Sequence, residues 1–206
     1  EMCLRDRNLL AALMTSFSGV TLGTATFVGI AGVSVTMSAA YAEDIAFDGT
    51  QVDVSSGGSV SYDAATVNAS TVLNFKGSGT VTIASLNGDA SDAVLKVNRV
   101  ANAGAALSTL NLTGEGNFNG TIYLYSETVG GSRNNILTLS HAKAAQNATV
   151  KMGGHSYEKG ASVLKVAVDS SISKLAYDGS SNDKNAAVIT GEGTTLTVTG
   201  HSSSYG

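Results

Sequence analysis

The stretch LNLTGEGNFNGTIYL, residues 110–124, decides the fold class. Leu110 and Leu112 are separated by one polar residue, a glycine-rich break follows, and alternation of apolar and polar residues resumes from Thr121 to Leu124. Successive side chains of a β-strand point to opposite faces. A period of two therefore predicts two strands, each with one apolar face and one polar face, joined by a turn.

The same pattern recurs elsewhere in the chain. Residues 73–79, LNFKGSG, share the frame Leu-Asn-apolar-x-Gly-x-Gly with residues 110–116, and alternation resumes after both. A looser copy, LTVTG, occupies 196–200. The distance between copies varies, which indicates a degenerate repeat with insertions. Further strand-like runs, separated by turn-forming residues rich in glycine, serine and asparagine, lie at 136–139, 149–152, 164–168, 172–175 and 188–189.

The composition agrees with many short strands. The chain has 206 residues, of which 43% are hydrophobic, enough for one domain with a substantial core. It has no proline and 24 glycines, which suits interior strands joined by frequent turns. Only 14% of residues are charged and the net charge is −4, without a Lys/Arg cluster, which argues against nucleic-acid binding. The single cysteine, Cys3, excludes an intramolecular disulfide and a cysteine-based metal site.

Short, evenly separated strands fit a sandwich, a barrel or a solenoid. The repeat favours a parallel β-helix, because each coil buries its inward row only by stacking on the next coil. At about 20–30 residues per coil, residues 43–206 predict about five to eight coils. A β-sandwich is the alternative. The one helical feature is SHAKAAQ, residues 140–146, in which Ser140 is expected to cap a single alanine-rich turn.

Residues 1–42 have the features of a secretory signal peptide. Arg5 and Arg7 precede an uncharged, largely apolar run over 8–42, which closes with Ala-Tyr-Ala at 40–42. Small residues at these places are what signal peptidase accepts, so the mature chain is predicted to begin at Glu43. The alternative, a transmembrane helix, is disfavoured because Gly, Ser and Thr dilute the run and no basic cluster follows it.

STLNLTGEGNFNGTIYL, residues 108–124, resembles the β-strand repeat of bacterial autotransporter passenger domains, whose usual form is Leu-Thr-Leu-Thr-Gly-x-Asn-x-Tyr/Phe-x-Gly-x-Thr. The matching places are held by Leu110, Leu112, Thr113, Gly114, Phe118, Gly120 and Thr121. ILTLSHAKAAQNATVKM, residues 136–152, is similar to the segment that commonly follows this repeat. The resemblance covers about a third of the chain, while the rest is alike in texture only.

The resemblance implies an exported, right-handed, single-stranded parallel β-helix with an extended signal peptide. It also implies an outer-membrane β-barrel in a C-terminal region that these 206 residues lack. We therefore expect 1–42 to be the signal peptide and 43–206 to be a passenger segment truncated inside a repeat. The expected location is secreted or at the bacterial cell surface.

The candidates for chemistry are few. His141, His155 and His201 lie far apart and lack the spacing of a zinc site. GDASD, residues 88–92, is interpreted as a turn, and no Gly-x-Ser-x-Gly nucleophile elbow occurs. DGSSNDKN, residues 178–185, places Asp178, Asp183 and Asn185 close together, which leaves open a calcium loop or a solvated turn.

A polysaccharide-cleaving β-helix would need two or three carboxylates converging on one outer face. Lys165 and Asp169 are candidates, on the expectation that they share one strand and face the same way. The remaining acids are scattered singly among turns: Asp53, Asp63, Asp92, Glu115 and Glu127. Glycosylation sequons begin at Asn68, Asn111, Asn119 and Asn147, as expected by chance in a chain rich in Asn and Thr.

Three functions remain open. The first is a non-enzymatic β-helical stalk or adhesin module, with glycans or matrix proteins as partners and with no catalytic, cofactor or metal site. The second is a polysaccharide-active enzyme of similar fold. The third is a scaffold that self-associates through strand edges at the ends of the coil. The first two separate on whether carboxylates cluster on one exterior sheet within about 5–10 Å.

Overall fold

The computed structural model of the chain describes residues 43–99, 106–126, 133–153, 160–178 and 186–200. These ranges contain strands and turns but no helix. The strands are β1 (Ile45–Asp48), β2 (Gln51–Val54), β3 (Gly58–Ala69), β4 (Thr71–Phe75), β5 (Gly79–Asn87), β6 (Val94–Arg99), β7 (Ala106–Leu112), β8 (Thr121–Ser126), β9 (Arg133–Leu139), β10 (Ala145–Gly153), β11 (Gly160–Val166), β12 (Ser170–Asp178), β13 (Ala186–Thr190) and β14 (Leu196–Val198).

The strands alternate between two parallel sheets. The odd-numbered strands form one seven-stranded sheet in the order β1-β3-β5-β7-β9-β11-β13, here called the odd sheet. The even-numbered strands form a second seven-stranded sheet in the order β2-β4-β6-β8-β10-β12-β14, here called the even sheet. Each winding of the chain thus adds one strand to each sheet, which is a β-solenoid. The prediction of an all-β parallel β-helix is confirmed, and the sandwich alternative is wrong.

The windings differ in length. Val60 on β3 pairs with Val81 on β5, and Val81 pairs in turn with Leu110 on β7. Leu110 then pairs with Leu137 on β9. The step from Val60 to Val81 spans fewer residues than the steps from Val81 to Leu110 and from Leu110 to Leu137. All three fit a coil of about 20–30 residues. The variation explains why the sequence repeat has no fixed period.

The core is a set of aliphatic columns between the two sheets. On the odd sheet Leu110, Leu137 and Leu164 follow one another in register, each with 0% exposure. On the even sheet Leu95 and Ile122 stack in the same way, also at 0% exposure. Burial of one side chain of this size is worth about 1.5–3 kcal/mol. Because every inward position lies against its counterpart in the next winding, this gain recurs at each step.

The two strands of residues 110–124 lie in different sheets. β7 ends at Leu112 in the odd sheet, and β8 begins at Thr121 in the even sheet. The connection follows the preceding winding, since the backbone N–H of Asn117 donates to the carbonyl of Leu86 at 3.0 Å. Phe118, which is 1% exposed, fills the corner between the sheets. The glycine-rich break is therefore a bend from one sheet to the other.

Gly116 shows why this bend needs glycine. A Cβ at this position would lie 2.5 Å from the carbonyl oxygen of Leu86 in the preceding winding and 2.8 Å from that of Ala144 in the following winding. Both neighbours are backbone atoms that have no rotamer to change. The glycine therefore permits adjacent windings to approach closely. Positive φ, the other reason for glycine, occurs in turns at Gly49, Gly57, Gly88 and Gly193.

The inward face also contains a short polar column. Ser108, Asn135 and Ser162 pair across β7, β9 and β11, and all three are buried. The Asn135 side-chain amide donates to the carbonyl of Tyr125. The Ser162 hydroxyl lies 2.9 Å from the carbonyl oxygen of Leu124, within hydrogen-bond distance. Asn135 and Ser162 thus provide partners for carbonyl groups near the end of an even strand, where the chain leaves that sheet.

The helical interpretation of residues 140–146 is wrong. β9 ends at Leu139 and β10 begins at Ala145. Between them the N–H of Ala144 donates to the carbonyl of His141 at 3.1 Å, which closes a turn. The Ser140 hydroxyl caps no helix and instead donates to the amide oxygen of Asn111 at 2.9 Å. A hydrogen bond to the preceding winding has outweighed the local preference of an alanine-rich segment.

Candidate functional site

The outer face of the even sheet has a cluster of aromatic and cationic side chains. Along β6, β8 and β10 buried aliphatic residues alternate with half-buried larger ones, so the latter face outward. We call this cluster, Lys96, Tyr123, Tyr125 and Lys151, the tyrosine–lysine platform. Its members come from three successive windings, and strand pairing brings them together.

Strand register places a tyrosine between two lysines. Tyr123 pairs with Lys96 on one side and with Lys151 on the other. The Lys96 Nζ lies 4.1 Å from the centroid of the Tyr125 ring, and the Lys151 Nζ lies 4.7 Å from the centroid of the Tyr123 ring. The two ring centroids are 5.3 Å apart at an interplanar angle of 49°. Cation–π attraction of this kind holds the ammonium groups over the rings.

Lysine side chains recur on this face of the even sheet. Lys174 on β12 pairs with Thr149 on β10 and extends the cationic face by one strand. Towards the other end of the sheet the Lys76 Nζ lies 3.3 Å from the Asp53 carboxylate, so this acid is neutralised locally. The whole chain has a net charge of −4. Lys96, Lys151 and Lys174 thus lie on one face of the even sheet, although the chain as a whole is acidic.

Asp53 has an environment that favours its charged form. The Asn74 side-chain amide donates to its carboxylate at 2.7 Å, and this hydrogen bond is the main reason that the pKa of Asp53 is lowered. Gln51 and Lys76 lower the pKa further, while burial opposes them. A general acid in glycoside cleavage needs a raised pKa. The environment of Asp53 acts in the opposite direction.

Two open clefts lie along the edge where odd strands turn into even strands. The first, of about 340 Å³, is lined by asparagine side chains together with Gly88 and Asp89. The second, of about 500 Å³, is lined by Lys143, Asp169 and residues around Ser170. The Asp169 carboxylate in this second cleft accepts the N–H of Thr195 at 2.8 Å and so has a structural role.

The structure does not place Lys165 and Asp169 on one strand. β11 ends at Val166, and Asp169 lies in the connection to β12. The expectation that the two residues share a strand is wrong. The physical reason is that the chain must turn here towards the even sheet, and the Asp169 carboxylate binds the backbone of the next winding at Thr195.

The other acidic residues named from the sequence do not share partners. Glu115 pairs with Lys143 at 3.3 Å. Asp63 and Asp92 are exposed. Within the described ranges no three or more His, Cys, Asp or Glu side chains come together as a potential metal site. Glu127 lies outside the described residues.

The remaining candidates occupy turns or undescribed positions. His141 lies in the turn before β10, where its Nδ1 accepts the N–H of Lys143 at 3.3 Å. GDASD is a turn, as predicted, closed by the N–H of Ala93 on the carbonyl of Ala90 at 3.0 Å. His155, His201 and residues 179–185 lie outside the described residues. The two alternatives for residues 178–185, a solvated turn and a calcium loop, are therefore not tested.

Sequence reasoning missed the platform, although a signal was present. Lys96, Tyr123 and Lys151 each stand in the middle of an apolar–polar–apolar triplet: LKV, IYL and VKM. Each triplet follows the previous one after a single winding. Aligning the triplets by winding would have stacked these three residues. The lack of a constant period concealed that alignment.

Comparison with known proteins finds no matching family model, no matching curated protein and no matching solved structure. The described part of the chain also holds no helix long and apolar enough to cross a bilayer. Residues 1–42 lie outside the described residues. The signal peptide, the export route and the autotransporter resemblance thus stay predictions.

Proposed function

We propose that the chain is a non-enzymatic passenger segment of the autotransporter type, secreted or held at the bacterial surface, which acts as a stalk with an adhesive face. The observation that carries this proposal is the stacking of parallel strands into two seven-stranded sheets. At about 4.8 Å between neighbouring strands, each sheet is about 29 Å long. Buried columns that continue through the windings make such a structure stiff, which suits a stalk.

The acidic residues support a non-enzymatic function. Cleavage of a glycosidic bond requires two cooperating carboxyl groups, one of them with a raised pKa. Here Asp53 pairs with Lys76, Glu115 pairs with Lys143, and Asp169 binds a backbone N–H. The lowered pKa of Asp53 also disfavours a role as general acid. These contacts stabilise the fold and its surface, and the polysaccharide-active enzyme is the less favoured alternative.

A bacterial host that exports proteins provides the test. The chain is produced with its own segment 1–42 in place, and the exported product is analysed by mass spectrometry and purified. We expect the product to begin at Glu43. We expect it to bind at least one polysaccharide from a panel of neutral and acidic polymers immobilised on a biosensor surface. Size-exclusion chromatography should show that the polymers keep their length after prolonged incubation.

The alternative functions give different results in the same experiment. Shortening of any polymer would establish the enzyme and overturn the proposal. Assembly into multimers in sedimentation, without binding to any polysaccharide, would favour the self-associating scaffold. An uncleaved product retained in the cytoplasm would contradict export.

A further inference from the structure

We propose that the tyrosine–lysine platform binds an acidic polysaccharide, with carboxylated or sulfated sugars, laid across β6, β8 and β10. This inference rests on the proposed adhesive function and names the class of its partner. It starts from the position of the four side chains, which come from three windings and share one outer face. An extended polymer can contact all three windings at once, whereas a small solute would contact one or two.

Charge selects an anionic partner. Lys96 and Lys151 flank Tyr123, and Lys174 adds a further ammonium group on the next strand. On the odd sheet the corresponding position of β11 has Lys165, while Thr82 and Thr138 occupy it on β5 and β9. Complementary charge raises the rate of encounter and disfavours partners of the wrong sign. The platform therefore favours carboxylate or sulfate groups over neutral sugars.

The aromatic rings fit a sugar polymer in particular. Tyr123 and Tyr125 are half-buried and lie in ring contact with each other at 5.3 Å. Rings held in this way lose little conformational freedom on binding, which is why tyrosine is favoured in binding surfaces. Each ring carries a phenolic hydroxyl that can exchange hydrogen bonds with sugar hydroxyl groups. Lysine alone would provide charge without this shape.

A nucleic acid is a poorer match for the same surface. Binding of single strands relies on bases stacked upon open aromatic faces and on a continuous basic groove. Here an ammonium group lies over each ring, at 4.1 Å for Lys96 on Tyr125 and 4.7 Å for Lys151 on Tyr123. An acidic polysaccharide offers many hydroxyl groups that can hydrogen-bond to the phenolic hydroxyls of Tyr123 and Tyr125.

The test compares two forms of one polymer. Polygalacturonate and its fully methyl-esterified form share a backbone and differ in charge. We expect the exported chain to bind polygalacturonate at least about tenfold more tightly than the ester, and to lose this preference as salt rises towards about 1 M. Replacing both tyrosines, Tyr123→Thr/Tyr125→Thr, should weaken binding about tenfold or more. Lys96→Met/Lys151→Met should abolish the preference for the charged form.

The matched control lies on the other sheet. Thr82→Ala/Thr138→Ala removes two outward side chains at equivalent positions of the odd sheet and should leave binding unchanged. Thermal unfolding followed by circular dichroism identifies any variant that has lost its fold, and Tyr123→Phe/Tyr125→Phe then tests the rings with less change of shape.

Each outcome separates this inference from the broader proposal. Equal binding of both polymer forms, or binding unaffected by the platform variants, would overturn the inference and leave the adhesive function intact. Stronger binding to single-stranded poly(dT) than to polygalacturonate would overturn it in favour of nucleic acid. Failure to bind any polymer of the panel would overturn both proposals.

Discussion

The two sheets of the solenoid have similar inner faces and different outer faces. Inside, both are lined by buried aliphatic side chains in register from winding to winding. Outside, the odd sheet presents Thr82, Asn111 and Thr138 across β5, β7 and β9. The even sheet presents the tyrosine–lysine platform on the neighbouring strands β6, β8 and β10. The odd and even sheets therefore share one apolar interior, but their outer faces differ in chemistry.

The difference shows which positions are constrained by folding. An inward residue must fill the space between two windings, so only a few apolar side chains fit. An outward residue contacts solvent and its neighbours on adjacent strands, so threonine, tyrosine and lysine are all compatible with strand pairing at these positions. A cluster of tyrosine and lysine on one face is therefore not required by the fold. The outer face of the even sheet is therefore the candidate binding surface.

The largest expected effect is on the interior. Leu137 is fully buried between Leu110 and Leu164, so Leu137→Ala should lower the free energy of unfolding by about 2–5 kcal/mol. Its outward neighbour provides the comparison, and Thr138→Ala should change the value by no more than about 0.5 kcal/mol. Urea denaturation measures both. Similar losses in the two variants would contradict the division between inner and outer faces.

A somewhat smaller effect is expected at the bend between the sheets. Gly116→Ala should lower the free energy of unfolding by about 1–3 kcal/mol, because the added methyl group meets the carbonyl oxygens of Leu86 and Ala144. Thr113→Ala, an exposed position at the start of the same bend, should be nearly neutral. The same denaturation assay applies. An unchanged stability of the Gly116 variant would show that adjacent windings are less closely stacked than described.

The smallest effect concerns the acid on the outer face of the even sheet. Asp53 has a lowered pKa, so its stabilising contribution is present above about pH 4 and is lost as the pH falls through the lower folded pKa. Asn74→Ala should raise this pKa, since the Asn74 hydrogen bond is the largest single cause of its lowering, and Lys76→Met should raise it through loss of a hydrogen bond and a positive charge. Carbon-13 NMR titration measures each value. An unchanged pKa in the Asn74 variant would assign the shift to other groups, such as the ion pair with Lys76.

Much of the fold follows from local patterns. Alternation at 110–113 and 121–124 correctly predicted β7 and β8, and their glycine-rich frame correctly predicted β4 and β5. The strands β1, β2, β3 and β6 were not predicted, although QVDV in β2 and SVSYDA in β3 do alternate between polar and apolar residues. Ser140 was misassigned because its hydrogen bond to Asn111 joins different windings. Local propensity contains no information about that partner.

The candidate site follows the same division. Charged and aromatic residues such as Lys96 and Tyr123 are visible in the sequence, and so is their outward phase. Their adjacency is not visible, since it depends on strand register across windings of unequal length. Conversely, Lys165 and Asp169 are close in sequence, but the chain turns between them at the end of β11. Distance along the sequence therefore did not indicate which residues share a surface, either for Lys96 and Tyr123 or for Lys165 and Asp169.

The amino-acid sequence by itself determined that this chain forms short strands with one apolar and one polar face, and that stacking buries the apolar faces. The physical reason is that period-two alternation and glycine-marked bends act over a few residues. Only the tertiary structure decided that successive strands belong to alternate sheets. It also decided that Lys96, Tyr123 and Lys151 form one surface, because register is set by the packing of whole windings.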